Sequence, residues 1–186
     1  KNKDDKFHRS YNEKNWRILP RQAVHDSSSV TYPVFTAIAA PEVQNKLNGD
    51  FAIIAGPYLQ NLATGGCELD YTLTFVSEKF ISMVFFGVLD EGEKEIFAKI
   101  PLNIDVQTGA QLALGDVLNL RDADLLPVLR LLTKKDKVDF SKGIPESWYY
   151  NGTNFVFCQR SEIGEWLEAT VAASDLKKFL LKPELF

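Results

Sequence analysis

The sequence contains little of the chemistry from which metal centres and redox or catalytic sites are built. Its 186 residues include two cysteines, two histidines and one methionine. So few thiols and imidazoles argue against a zinc site, and two cysteines are too few for a disulfide scaffold. A formal net charge of −4 gives no electrostatic reason to expect nucleic acid as a partner. We therefore expect neither a cofactor nor a nucleic-acid ligand.

Long hydrophobic runs are also missing. The longest, from Met83 to Leu89, has the length of a strand, whereas a membrane helix needs about 20 apolar residues. We therefore expect no membrane span in this chain. The composition, 45% apolar and 25% charged, is that of a globular protein with a real core. The length suits one sizeable domain or two closely joined halves.

Two features of the chain leave alternatives open at this point. The polar start, Lys1 to Lys6, is typical of a trimmed or processed chain and predicts a disordered tether over residues 1–14.

The two cysteines leave a second question open. Cys67 and Cys158 are either two buried free thiols or one disulfide bridge. A bridge would close a long loop and contribute roughly 4–5 kcal/mol in the chain-entropy model, but the sequence gives no Cα separation.

A two-residue apolar rhythm dominates the middle third. Residues 69–75 alternate apolar and polar, which predicts a strand with one buried and one wet face. Residues 80–89 are apolar on both faces, as expected of an interior strand, and residues 96–106 alternate again. These segments predict a meander. Residues 16–24 and 30–35 predict two further strands, joined by a polar turn.

Three segments have the periodicity of helices. Residues 41–58 begin with Pro41 at a favourable first position, and Gly56-Pro57 is expected to kink or end this helix. Residues 117–132 are helical in pattern, with a second helix opening near Pro127. A short terminal helix is expected over residues 175–181.

The predicted fold class is α+β: an antiparallel meander sheet with helices packed on one face. Two closely joined α+β halves remain an open alternative. The corresponding organisation is a tether over residues 1–14, a first half over 15–66 and a second half over 67–186. The second half contains the meander, its covering helices and a hairpin around Asn151-Gly152, the strongest short turn signal.

Candidate chemistry is sparse. His25-Asp26-Ser27 contains the residue types of a hydrolytic triad, but neighbours in a turn point apart. Paired acidic residues are explained by turns and helix starts. We therefore assign no catalytic or metal-binding residue. The candidate ligand or partner surface is the aromatic run on the hairpin together with a nearby arginine: Trp148, Tyr149, Tyr150 and Arg160. Aromatic residues on a hairpin are, however, more often cross-strand packing.

Order and motif resemble a known pair of domains. The motif N-x-D-x-x-T-G followed by L-x-L-x-D is formed by Asn103, Asp105, Thr108, Gly109, Leu112, Leu114 and Asp116. Residues 154–157, 162–164 and 174–176 match the ending of the same domain, and residues 30–35 and 43–48 match its N-terminal companion. The chain thus resembles the paired domains of unknown function in the extracytoplasmic region of the lysozyme-responsive anti-sigma factor and in peptidoglycan deacetylase C. The Arg160-Ser161 segment departs from the aromatic turn expected there.

This resemblance, with the missing chemistry, implies a noncatalytic extracytoplasmic binding or sensing module of a bacterial envelope or secreted protein. It would be secreted, lipid-anchored or membrane-tethered. Its partner would be a protein such as lysozyme, or a cell-wall glycan. The alternative is an enzyme or accessory domain acting on cell-wall polysaccharide, which requires a pocket with converging carboxylates. A third hypothesis, a structural domain, requires a flat surface with an exposed apolar patch.

Overall fold

The computed structural model of the chain describes residues 8–13, 15–90, 92 and 94–186, without the side chain of Glu13. Within these residues, nine strands form two sheets, one of six strands in the order β1-β2-β3-β4-β5-β6 and one of three in the order β7-β8-β9. The strands are β1 (Tyr11–Glu13), β2 (Trp16–His25), β3 (Ser28–Thr36), β4 (Cys67–Val76), β5 (Phe80–Asp90), β6 (Glu95–Asp105), β7 (Ser147–Tyr150), β8 (Asn154–Arg160) and β9 (Trp166–Ala172).

Helices connect and cover these sheets. The α-helices are α1 (Pro41–Asn61), α2 (Leu114–Val117) and α3 (Leu125–Leu132). Short 3₁₀ helices occupy Leu62–Thr64, Phe140–Lys142, Ala173–Phe179 and Pro183–Leu185. The α+β class predicted from the sequence is confirmed. In the described part of the chain, no helix combines the length and hydropathy that crossing a membrane requires.

The predicted meander of β4, β5 and β6 is confirmed, and its pairing sets which side chains share a face. Tyr71 and Ile100 both pair with Phe85, so all three side chains lie on the same face, because facing residues of paired strands point the same way. This inner face packs against α1. The opposite face of the six-stranded sheet, called the outer face below, carries the alternate residues of the same strands.

The sheet is mixed, because α1 carries the chain from β3 to a parallel strand. Ser29 pairs in parallel with Glu68, and Val30 with Leu69, and a parallel connection needs a crossover of this kind. The Asn48 side chain ties α1 to β3: its amide nitrogen donates to the Phe35 carbonyl at 3.0 Å, and its oxygen accepts from the Phe35 N–H at 2.7 Å. The pairing crosses the predicted boundary between residues 66 and 67.

The first helix does not end at Gly56-Pro57. It continues to Asn61 with Pro57 inside it, although a proline in this position removes a backbone donor and costs about 3 kcal/mol. Tyr58, one residue later, is buried at 5% exposure. It fills the space above Gly87, where a Cβ would lie only 1.9 Å from the Tyr58 hydroxyl oxygen. We attribute the continuation to this packing.

A second core forms around the three-stranded sheet, with α3 and the terminal 3₁₀ helix packed into it. The predicted helix over 117–132 is interrupted after Val117: Leu118 forms a bridge with Leu180 instead. A new helix begins at Leu125, close to the position that Pro127 indicates. The terminal helix over 173–179 has 3₁₀ geometry. This helix is seven residues long. Its Leu176 and Phe179 side chains are buried in the second core, which holds the helix in place.

Polar side chains join the two sheets. Ser82 of β5 and Asn103 of β6 are register partners, and both are buried, at 0% and 4% exposure. The Ser82 hydroxyl donates to Asn103 Oδ1 at 2.7 Å, and Asn103 Nδ2 donates to the Trp148 carbonyl at 2.8 Å. The Tyr150 N–H donates to Ser82 Oγ at 2.8 Å. Strand β7 is thereby fixed to the outer face of the meander.

The predicted tether needs a correction. Residues 1–7 and 14 lie outside the described residues, but residues 11–13 form β1 and pair with β2. Immediately before β1, the Leu73 N–H donates to the His8 carbonyl at 2.7 Å, and the Tyr71 hydroxyl donates to the Arg9 carbonyl at 2.5 Å. The polar composition of residues 1–14 suggested a solvated segment. Instead, residues 11–13 add a strand to the sheet, and the carbonyl groups of His8 and Arg9 accept hydrogen bonds from β4. Glu91 and Glu93, which follow β5 in the sequence, also lie outside the described residues.

Two glycines give a matched test of this fold. Gly109 has φ +70° and a Cβ there would lie 3.3 Å from Val43 Cγ1, whereas Gly49 in α1 has nothing within 4 Å. Gly109→Ala should lower the free energy of unfolding by about 1–2 kcal/mol, because alanine is strained at positive φ. Gly49→Ala should raise it by about 0.5–1 kcal/mol through helix propensity. Urea denaturation measures both, and changes of the same sign would contradict the assigned backbone.

Candidate functional site

The aromatic hairpin does not form the surface predicted for it. Trp148 and Tyr150 are 2% and 4% exposed and belong to the second core, where the Trp148 ring stacks on Phe80 at 6.3 Å between centroids. Alternation along β7 explains this result, because residues 148 and 150 share the inward face and only Tyr149 points the other way. The prediction of an exposed aromatic platform is therefore wrong for these two residues.

Arg160, the fourth residue of the predicted surface, is exposed at the end of β8. Its Nε donates to the Gly164 carbonyl at 3.4 Å. Its guanidinium carbon lies 6.0 Å from the ring centroid of Trp166, its register partner on β9. Of the four predicted residues, Tyr149 and Arg160 thus remain outside the second core.

The motif residues on which the resemblance rests make hydrogen bonds that stabilise turns, a helix start and the junction between the sheets. Asp105 Oδ1 accepts from the Gln107 N–H at 2.8 Å, and the Gly109 N–H donates to the Asp105 carbonyl at 2.8 Å, which closes the predicted turn. Thr108 Oγ1 accepts from the Ala110 N–H at 3.2 Å. Asp116 Oδ2 accepts from the Ala113 N–H at 2.8 Å at the start of α2. Asn103 supports the junction between the sheets.

The His25-Asp26-Ser27 turn has no catalytic geometry. His25 is the last residue of β2, and its Nδ1 lies 3.5 Å from Oδ2 of Asp26, in the exposed two-residue loop that leads to β3. Among the described residues, no group of three His, Cys, Asp or Glu side chains converges as metal ligands would.

A cleft opens on the outer face beside the second sheet. It has a volume of about 360 Å³ and is lined by Glu68 and Asp70 of β4, Phe86–Val88 of β5, Phe97–Lys99 of β6 and Trp166 of β9. The walls are mostly apolar and aromatic, and Phe97 is 52% exposed at the rim. A volume of this order with few polar groups is typical of sites for small ligands.

An ion pair between the sheets includes Lys99, one of the residues that line the cleft. Lys99 Nζ donates to a carboxylate oxygen of Glu168 on β9, and the Tyr149 hydroxyl donates to the same carboxylate, with 3.3 Å to each oxygen. Lys99 Nζ also lies 5.7 Å from the Phe86 ring centroid and 5.6 Å from that of Tyr149. Burial lowers the pKa of Lys99 and raises the pKa of Tyr149. This clamp holds β9 against β6.

A second ion pair lies on the β4 side. Arg9 donates from Nε to Asp70 Oδ1 at 2.7 Å and from Nη2 to Asp70 Oδ2. Such two-point contacts are stronger and more directional than single ones. Both carboxylate oxygens of Asp70 are thus bound to a guanidinium. Glu68, two residues earlier on the same face, is exposed.

Both cysteines are free and buried, so the bridge that the sequence left open does not form. Cys67 Sγ donates to the Tyr58 carbonyl at 3.2 Å. Burial raises the pKa of Cys158 to about 11, an effect that nearby Lys99 opposes. At neutral pH the Cys158 side chain is therefore a thiol, which is a poor nucleophile.

The lining residues of the cleft were not identified from the sequence, although one signal pointed to them. Residues 80–89 are apolar on both faces, which predicts cover on the outer face as well as the inner. The second sheet provides that cover at Ser82, which the Tyr150 N–H contacts, but leaves Phe86 and Val88 to line the cleft. Lys99 and Glu168 are 69 residues apart, and no local pattern joins them.

Comparison with known proteins gives structural similarity alone. No family model matches the chain, and no curated protein matches it. A crystal structure of a DUF3298 family member from Bacteroides fragilis is similar with a TM-score of 0.62 and 12% identity, over 93% of this chain and 95% of that one. A DUF3298 family protein from Pseudomonas aeruginosa gives 0.59 and 12%, over 94% and 97%. At this identity the likeness establishes a shared fold.

Thiol accessibility tests the cysteine assignment. The native protein should react with neither iodoacetamide nor a disulfide reagent within minutes at about pH 8, because both thiols are buried and the pKa of Cys158 is raised. After denaturation without reductant, both thiols should react. Mass spectrometry counts the modifications. An unfolded chain with no reactive thiol would show that the two cysteines are bridged.

Proposed function

We propose that this chain is a noncatalytic binding or sensing module of a bacterial envelope or secreted protein, acting outside the cytoplasm, and that the outer-face cleft is its ligand site. The observation that carries the proposal is that charged groups at the cleft are held in ion pairs. Arg9 with Asp70, and Lys99 with Glu168, are bound to each other. Groups held in this way position a ligand and shape a wall, while the apolar surface between them provides contact area.

The extracytoplasmic location and the partner classes rest on the sequence resemblance. A protein such as lysozyme, or a cell-wall glycan, is the proposed partner. A cleft of about 360 Å³ accepts one ring or one inserted side chain, so either partner would present a single group to it. The exposed Phe97 ring at the rim offers a face on which such a group can stack.

The alternative is an enzyme or accessory domain acting on cell-wall polysaccharide. One observation favours it: Glu68 and Asp70 line the same cleft, and glycoside hydrolysis uses two carboxylates. The contacts of Asp70 weigh against it, because both oxygens are engaged by Arg9. Neither oxygen is then free to transfer a proton or attack a sugar. We therefore prefer binding.

A truncation at the rim tests the proposed site. Phe97→Ala should weaken binding to immobilised cell-wall fragments or lysozyme by about five- to thirtyfold, since it removes an aromatic contact surface worth about 1–2 kcal/mol. Leu131→Ala is the matched control, because Leu131 on α3 is similarly exposed, at 61% against 52%. Surface plasmon resonance measures both variants.

Three outcomes would contradict the proposal. The first is no binding of the unaltered chain to either partner at high micromolar concentration. The second is equal weakening by Phe97→Ala and Leu131→Ala. The third is hydrolysis of cell-wall fragments that Glu68→Gln abolishes, which would establish the enzymatic alternative.

A further inference from the structure

One carboxylate at the cleft stands outside the ion pairs of the described residues. Among these residues, the Glu68 side chain makes neither a hydrogen bond nor an ion pair. The other charged side chains that line the cleft are paired: Asp70 with Arg9, and Lys99 with Glu168. Within the described part of the chain, Glu68 is therefore the lining residue whose charge faces the cleft without an ion-pair partner.

Arg160 is a cation beside the cleft, on the side of Trp166. Its guanidinium carbon lies 6.0 Å from the Trp166 ring centroid, but Arg160 is not among the residues that line the cleft. On the opposite wall, an anionic ligand would meet the carboxylate of Glu68, and like charges at close range repel.

The remaining surface suits a cation with an apolar body. Phe86, Phe97 and Trp166 line the cleft, and aromatic faces attract ammonium groups at centroid distances up to about 6 Å. The protein already uses this interaction at the edge of the cleft, where Lys99 Nζ lies 5.7 Å from the Phe86 ring centroid. A free carboxylate beside aromatic walls is a combination that recognises organic ammonium ions.

We propose that the outer-face cleft binds a small organic ammonium ion, with its apolar body against Phe97 and Trp166 and its ammonium group at Glu68. This inference rests on the proposed function, because it assigns a ligand class to the same cleft. A volume of about 360 Å³ admits an amine of one ring and a short chain.

A charge series of near-isosteric probes tests the inference. Phenethylamine, phenethyl alcohol and phenylacetate carry the same ring with a positive, neutral or negative group. The reporter is the indole N–H of Trp166, which is buried without a hydrogen-bond partner among the described residues. Its NMR signal is assigned by its loss in Trp166→Phe. Phenethylamine should bind at least about tenfold more tightly than the alcohol, and phenylacetate should bind least.

Two variants locate the charge responsible. Glu68→Gln keeps the shape of the side chain and should remove the preference for the amine over the alcohol. Glu146→Gln removes the same charge from an exposed position in the loop before β7 and should leave the preference intact. The circular dichroism spectra of both variants should match that of the unaltered chain, since neither side chain makes a hydrogen bond or ion pair with the described residues.

The outcomes separate this inference from the proposed function. Equal affinity for the three probes, tightest binding of phenylacetate, or a preference that survives Glu68→Gln would each overturn the ammonium assignment. None of these results would affect the binding of wall fragments or lysozyme. The ammonium assignment would also be overturned if no probe shifted the Trp166 indole signal at a concentration of a few times ~1 mM. Loss of partner binding by Phe97→Ala, measured separately, would still support the cleft as the partner site.

Discussion

A serine and an asparagine, buried between the two sheets, determine how the two parts of this protein meet. Ser82 and Asn103 satisfy each other, the Trp148 carbonyl and the Tyr150 N–H in one closed set of hydrogen bonds. Polar groups at 0% and 4% exposure would be costly without partners, because their lost hydration is not replaced. Ser82 and Asn103 keep their hydrogen bonds only when Trp148 and Tyr150 lie directly over them. These bonds therefore fix the position of β7 along the outer face. An apolar contact such as Phe80 with Trp148 adds burial but is less directional.

The cleft follows from that position. Once β7 is fixed over Ser82, the three-stranded sheet extends beside β6, and Lys99 reaches Glu168 on β9. Beside this pair, Phe86 and Val88 on the outer face of β5 line the cleft. Its shape therefore depends on contacts between elements far apart in sequence. The site is built on strands, which hold side chains more rigidly than loops do. This rigidity favours recognition of a preformed shape.

Sequence patterns predicted the elements better than their assembly. The alternation in residues 69–75 and 96–106, and the Asn151-Gly152 turn, identify strands because they report local burial. Which residues of an aromatic run face inward cannot be read in the same way. Trp148 and Tyr150 were candidates for a ligand surface, with cross-strand packing as the alternative, and they point into the second core. The helix through Pro57 depends on the space above Gly87, which Tyr58 fills from 29 residues earlier in the chain. For the same reason, the cleft residues were not predicted from local pattern alone.

A double-mutant cycle on the junction tests this account most directly. Ser82→Ala, Asn103→Ala and the double variant would be compared by urea denaturation. Each single change should lower the free energy of unfolding by about 1–3 kcal/mol, because each leaves buried partners unsatisfied. The two effects should be non-additive by about 0.5 kcal/mol or more, since the residues share one network. Additive effects, or single variants as stable as the unaltered chain, would contradict the claim that this pair sets the two sheets together.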